Sequence, residues 1–403
     1  MNFIFVSPQF PRTYWQFCDR LRRNGATVLG IGDTPYDQID QHLKDALAEY
    51  YWTPSLEDYG AVYKATAFFC YKYGKVDWVE SNNEYWLPLD AHLREDFNVS
   101  TGAHRAEMAA FQSKHDMKEF YARGGVPSAR QIQVTTLEEA RRFVHGSGDW
   151  PGVSYPVFVK PEQGVGSGGA HKISDDAELE AFFAQAPEVP YVLEEFVTGD
   201  ICSYDAILDS HGDPLFENQE EFPPSMAEVA SKRLDISYYS RPTVDPRLQE
   251  LGRAAAKGFG LASRFVHMEF FRLTEDKPGL AGKGDYVGLE VNVRPPGGYT
   301  PDMMNYAHDT DVYQIWADMV CFDERRLPAS QGSHYCVYAS RRDGFEYVHS
   351  REDVLRAFGP HIRMAERMPQ ALSDDMGDTM YTAVFDTDEE RVAFVDYVQE
   401  RKA

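Results

Sequence analysis

Cysteine is scarce in this 403-residue chain: Cys18, Cys70, Cys202, Cys321 and Cys336, with no CxxC pair and no histidine at metal-ligand spacing. An odd, scattered set argues against a disulfide framework and fits reduced thiols in the cytoplasm. Long apolar runs are missing too. No window approaches about 18 uninterrupted apolar residues, so no spanning helix is expected. Residues 1–8 carry no basic leader and read as the start of a buried strand, not a signal peptide. Positive charge is in deficit, with 40 Lys and Arg against 64 Asp and Glu and a formal net charge of −24. That balance disfavours nucleic-acid and anionic-membrane partners, which need a basic surface. No GxGxxG follows the first strand, so a dinucleotide is not expected there.

What is present describes a packed protein. Hydrophobic residues make up 43% and aromatics 14%, and the length suits two or three compact units. Residues 3–6, 26–31 and 76–79 are short apolar runs. Between the first two, Trp15, Phe17, Cys18 and Leu21 lie at helical spacing, closed by Asn24 and Gly25. Strand–helix–strand alternation predicts a parallel sheet wrapped by helices, a Rossmann-like unit. Further on, the pattern predicts a helix over 113–121 and a helix start at Thr135 and Thr136. It also predicts strands over 155–159, 191–193, 201–208, 265–273 and 286–293, and a helix over 249–258. Residues 209–240, rich in proline and charge, read as a long loop or flap, and Tyr50, Tyr51 and Trp52 as core.

Two constellations carry chemistry. The first is a strand ending on Lys160, followed by Gly164, Gly166, Ser167, Gly168 and Gly169. Ala170 and His171 stand where a Walker loop requires Lys and Ser/Thr. A glycine loop alone is equally well a flexible turn. Beside a lysine, its backbone N–H groups can clamp phosphate oxygens. The second is Glu290, Asn292 and Arg294, which strand alternation puts on one face, with Glu269 in a similar apolar strand. If those strands pair, two carboxylates and an amide converge, a hard-oxygen set suited to Mg²⁺. The competing reading is a solvent-facing polar stripe.

Taken in order, these elements resemble the ATP-grasp superfamily, in the branch with biotin carboxylase, the carbamoyl phosphate synthetase large subunit and carboxylate–amine ligases. The resemblance covers roughly residues 100–320. Ser113 and Lys114, in a helix stopped at Gly125-Val126-Pro127, resemble the family's first lysine. Lys160 and the glycine loop resemble the second. Glu194, Glu195, Phe196 and Val197 resemble the adenine hinge, where the Glu195 carbonyl and the Val197 N–H would read the base. Glu269, Glu290 and Asn292 match the metal ligands, and Arg294 the arginine facing the transferred phosphate. One departure stands out. Ile201 stands where the family has the acid that holds the ribose, so either Asp200 takes that role from one residue earlier or ribose recognition is weaker.

The resemblance implies a mixed α/β and α+β chain with the ATP-grasp fold. It divides the chain into a Rossmann-like domain (1–104), a small ATP-grasp subdomain (105–190), a large subdomain with the metal site (191–325) and a C-terminal α+β segment (326–403). It implies a ligase using ATP and two Mg²⁺ ions, with Mn²⁺ able to substitute. Such an enzyme activates a carboxylate as an acyl phosphate and joins it to an amine, and a homodimer is an expected assembly. The rival readings are a biotin-dependent carboxylase, a phosphotransferase of the same fold and a non-catalytic nucleotide-binding regulator. His267 reads as a packed strand histidine, with a catalytic base as the alternative, and Lys232 and Arg233 as either substrate contacts or solvated charges. Glu80 and Glu84 fall at the carboxyl end of an N-terminal strand, where open sheets bind ligands and where capping is also common.

Overall fold

The computed structural model describes residues 1–113, 115–161, 171–185, 191–223, 234–329 and 332–402. Three sheets organise them. The first is parallel, in the order β3-β2-β1-β4, with β1 Asn2–Val6, β2 Thr27–Gly32, β3 Glu49–Trp52 and β4 Trp78–Glu80. Ile4, Val6, Leu29 and Ile31 are buried and pack against Val62, Ala65 and Phe69 of the helix Tyr59–Tyr73. The expectation that residues 50–52 lie in the core holds for Tyr50 and Tyr51, which pack half-buried against it, and fails for Trp52. β3 is an edge strand, which leaves Trp52 47% exposed.

The second sheet is antiparallel, in the order β5-β8-β6-β7, from β5 Gln131–Val134, β6 Val157–Pro161, β7 His171–Ile173 and β8 Tyr191–Glu195. The third has eight antiparallel strands in the order β13-β12-β9-β10-β11-β14-β16-β15. Its strands are β9 Gly199–Leu208, β10 Pro214–Glu221, β11 Ser237–Ser240, β12 Arg264–Leu273, β13 Tyr286–Asn292, β14 Tyr335–Arg341, β15 Ile362–Arg367 and β16 Thr379–Phe385. Strand pairing therefore continues across residue 326. β10 and β11 correct the reading of 209–240 as loop. Asn218, Gln219 and Glu220 are fully buried, and their polarity serves a hydrogen-bond network, not solvent.

One face of the large sheet, through Tyr204, Met268 and Phe270, packs on Leu248, Leu251 and Ala255 of the helix Pro246–Gly258. The opposite face, through Ile207, Phe216 and Phe265, packs on Ile315, Trp316 and Met319 of the helix Val312–Phe322, together with Phe3, Phe5 and Phe17. Burial on this scale is the main stabilising term of such a layered fold. The helix expected from 113 begins later, at Met117, and ends at Arg123. Before it, the Ser113 hydroxyl accepts the Asp116 N–H at 3.0 Å, a turn that competes with the helix. No described helix is long and apolar enough to cross a membrane.

Candidate active site

On the face of the large sheet that carries Ile207 and Phe265, two polar rows cross the strands. β12 and β13 pair so that His267 faces Asn292 and Glu269 faces Glu290. β9 pairs on the other side, with Asp205 opposite His267 and Ser203 opposite Glu269. The alternation of β13 needs one irregularity to do this. Glu290 pairs with Glu269 and Gly288 with Phe270, so Leu289 is a surplus residue. The bulge keeps Tyr286 and Gly288 over the core, where the Tyr121 ring lies close to the Gly288 backbone, and turns Glu290 and Asn292 to the opposite face. Asn292 and His267 are both 6% exposed, so these residues are not a solvent-facing stripe.

Glu269 is held by His267, whose Nε2 lies 3.5 Å from its Oε1. Burial pushes the Glu269 carboxyl up, but the hydrogen bond and charge of His267, with Arg294 beside it, hold it below the ordinary carboxylate range. Burial pulls the imidazole down, and Asp205 and Glu269 together raise it to about 9. Arg294 donates to Glu84 Oε2 at 2.7 Å and lies 3.4 Å from Asn292 Oδ1. The expectation for Glu84 is thus resolved geometrically: it meets Arg294, while Glu80 pairs with the buried Arg94 at 3.0 Å.

Lys160 donates to Glu194 Oε2 at 3.1 Å. The same oxygen lies 3.4 Å from Lys118 Nζ, which has no other partner of ordinary hydrogen-bond geometry among the described residues. Burial pushes Lys118 down, and Lys160 adds to that, against the pull of Glu194 and Glu290. Burial raises Glu194, but Lys118 and then Lys160 outweigh it and hold the carboxyl low. Two lysines thus share one carboxylate, with the charge of Glu290 also acting on Lys118. Tyr121 is fully buried, its hydroxyl has no partner among the described residues, and it senses Glu290, Glu269 and Glu194. Lys118 and Tyr121 were missed in the sequence because both read as ordinary residues of one helix. Their spacing of three, which puts them on one helical face, is the signal that could have found them.

The hinge divides into unlike parts. The Glu195 side chain is fully buried and pairs with Arg130 at 2.5 Å and Lys277 at 3.4 Å, a structural contact. The Glu195 N–H donates to Arg130 O. Phe196 stacks on Phe158 with centroids 5.5 Å apart, and Lys172 sits over its ring. Val197 packs with Ala129, Leu273 and Val287. Asp200 is 58% exposed and lies 3.4 Å from Arg272. Lys114, Gly164, Gly166, Ser167, Gly168, Gly169, Lys232 and Arg233 lie outside the described residues.

Among the described residues no group of three or more His, Cys, Asp or Glu forms a metal cluster by itself. Glu269, Glu290 and Asn292 supply two carboxylates and an amide oxygen, an incomplete hard-oxygen set. Such a set fits Mg²⁺ whose remaining ligands come from phosphate and water. The buried, under-partnered Lys118 ammonium fits an anionic phosphate.

No family model matches the chain. Among curated proteins it is similar to alanine–anticapsin ligase of Bacillus subtilis, 24% identical over 285 residues, covering 63% of this chain and 56% of the relative. It is also similar to the D-alanine–D-alanine ligase of Streptomyces avermitilis, 26% identical over 220 residues, covering 50% and 54%. The chain thus spans about half the length of the curated relatives it matches. Among solved structures it superposes on an L-amino acid ligase from Bacillus licheniformis with a TM-score of 0.70 at 15% identity, covering 99% and 97% of the two chains. The biotin carboxylase domain dimer of the Hydrogenobacter thermophilus 2-oxoglutarate carboxylase, a complex with MgADP, gives 0.63 at 16% identity, covering 99% and 90%. The chain is built on the ATP-grasp fold, and its resemblance runs to the carboxylate–amine ligases of that superfamily.

Proposed function

We propose that this protein is an ATP-grasp carbon–nitrogen ligase that activates a carboxylate as an acyl phosphate and joins it to an amine, releasing ADP and phosphate. The observation that carries the reading is the facing pair Glu269 and Glu290, beside Asn292 and Arg294 on one sheet face. The names of the relatives, alanine–anticapsin ligase and L-amino acid ligase, support an amino acid as the carboxylate.

Glu269, Glu290 and Asn292 would hold Mg²⁺, with two ions in the full site and Mn²⁺ able to substitute. Bound there, the metal supplies charge neutralisation on the triphosphate. Lys114, Lys118 and Lys160, with the amides around Gly164, Gly166, Ser167, Gly168 and Gly169, hold the phosphates. The Glu195 carbonyl and the Val197 N–H read the adenine, and Asp200 reaches the ribose. Arg294 steadies the γ-phosphoryl group as a carboxylate oxygen attacks phosphorus and the bond to ADP breaks. The amine nitrogen then attacks the acyl carbon, gives up a proton and displaces phosphate. Positioning and charge stabilisation carry the rate, and no covalent nucleophile is needed. The free cysteines support a cytoplasmic setting, and the dimeric carboxylase neighbour supports a homodimer.

The test is an ADP-release screen of amino acids and small carboxylates, alone and in pairs. A pair active only together supports the reading and names both substrates. Biotin-stimulated, bicarbonate-dependent ATP hydrolysis would replace it with the carboxylase reading. Absence of ATP binding would overturn it.

A further inference from the structure

The polar row that ends at the candidate metal ligands does not stop there. From Asn292 it runs through His267 and Asp205 to Asn218, four residues in register on four neighbouring strands. From His267 onward each link is a hydrogen bond. His267 Nδ1 meets Asp205 Oδ1 at 2.6 Å, and Asp205 Oδ2 accepts from Ser203 Oγ at 2.9 Å and from Asn218 Nδ2 at 3.2 Å. Because Asn218 Nδ2 also donates to Glu220 at 3.1 Å, its Oδ1 is the acceptor that meets His308 Nε2 at 2.7 Å.

Exposure rises along this chain toward Glu269. The side chain of Asp205 is 0% accessible, that of His267 8% and that of Glu269 28%. A histidine needed only for packing is satisfied by one partner, and an apolar residue of similar size would serve the sheet as well or better. Here both ring nitrogens face carboxylates, and the rear carboxylate is itself fixed from three sides. Such a ring cannot turn without breaking its buried hydrogen bond to Asp205 and its contact with Glu269, so the atom it presents to Glu269 is fixed in place.

We propose that His267 is a positioning residue, anchored from behind by Asp205, that holds Glu269 in the orientation facing Glu290 and Asn292. The metal-ligating set is thereby assembled before Mg·ATP arrives. The proposal rests on the ligase reading of the same site. Ligand orientation by such outer partners is worth roughly ten- to a hundredfold in metal affinity.

The experiment measures Mn²⁺ binding directly, by electron paramagnetic resonance with a non-hydrolysable ATP analogue, alongside the melting temperature. His267→Asn keeps a donor near the Nδ1 position and removes the atom facing Glu269, whereas His267→Gln places an amide near Nε2. Mn²⁺ affinity is expected to fall roughly ten- to a hundredfold in His267→Asn and in Asp205→Asn, and to be partly restored in His267→Gln. Ser203→Ala, a change small enough to fold, should weaken binding in the same direction by a smaller factor. Nucleotide affinity without metal should not change. The control Glu269→Gln separates the two readings. Binding lost in Glu269→Gln but unchanged in the His267, Asp205 and Ser203 variants overturns the positioning role alone. Wild-type protein that takes up no Mn²⁺ overturns the ligase reading with it.

Discussion

Arg294 reaches 210 positions back along the chain to donate to Glu84 at 2.7 Å, and the same nitrogen lies 3.4 Å from Asn292 Oδ1. The N-terminal unit thus places a carboxylate on the guanidinium assigned to the γ-phosphoryl group. Arg294→Ala is expected to lower ADP release about 10²–10³-fold, with the melting temperature within a few degrees of wild type. Glu84→Gln removes a competing anion and should lower the KM for ATP while kcat falls less than tenfold. Steady-state ADP release checks both, and a raised KM in Glu84→Gln would count against competition.

Lys118 shares Glu194 with Lys160 and has no other partner of ordinary hydrogen-bond geometry among the described residues. Lys118→Met keeps the chain length and removes the charge. ATP binding, measured by calorimetry, is expected to weaken roughly ten- to a hundredfold, the range of a hydrogen bond to a charged group. Equal affinity in the variant would remove Lys118 from the phosphate site.

Glu80 and Arg94 form an ion pair at 3.0 Å, with side chains 4% and 1% accessible, and Arg264 lies 3.6 Å from the same carboxylate. Glu80→Gln strands two buried guanidinium groups. The cost expected in urea denaturation is about 3–5 kcal/mol, with the KM for ATP unchanged. A loss under about 1 kcal/mol would mean that water relaxes the pair.

Burial, with Arg325 and His334 nearby, holds the His308 imidazole down at about 4, against 6.5 when unperturbed. The unfolded chain therefore binds a proton between pH 6.5 and 4 that the folded chain does not. Stability on this account is full above pH 6.5 and falls as pH drops toward 4, by about 3 kcal/mol at most. Asp302, raised by burial to about 6, has the opposite slope between pH 3.8 and 6, so the wild-type curve alone mixes the two. The difference between wild type and His308→Gln isolates the histidine. It should shrink as pH falls through that window.

The strands that hold the site were legible because they carry a period of two between clear turns. Lys160 at the end of β6, and the shared face of Glu290, Asn292 and Arg294, follow from that period alone. Ribose recognition was open in the sequence and stays a proposal, because Asp200 is largely exposed beside Arg272. What could not be read is whatever depends on burial of charge. Residues 214–221 look solvated as a string of letters. In the sheet, Asn218 and Glu220 are fully buried and bonded to Asp205 and Ser240. The exposure of Trp52 likewise depends on β3 being an edge strand, which no local pattern encodes. Lys118 escaped because its partners, Glu194 and Glu290, lie on distant strands.

The surplus residue Leu289 has a consequence for how this protein can change over evolutionary time. It sets the phase between a stretch of β13 committed to the interior and a stretch committed to chemistry. Substitutions along the strand act one side chain at a time. Were Leu289 drawn into the ladder, strict alternation would bring Tyr286 and Gly288 onto the face of Glu290 and Asn292, and take the glycine from beneath the Tyr121 ring, whereas loss of its codon alone would close the ladder with both faces unchanged. A codon gained or lost elsewhere in the strand would reverse one face against the other, so tolerance to a change in length is confined to the bulge.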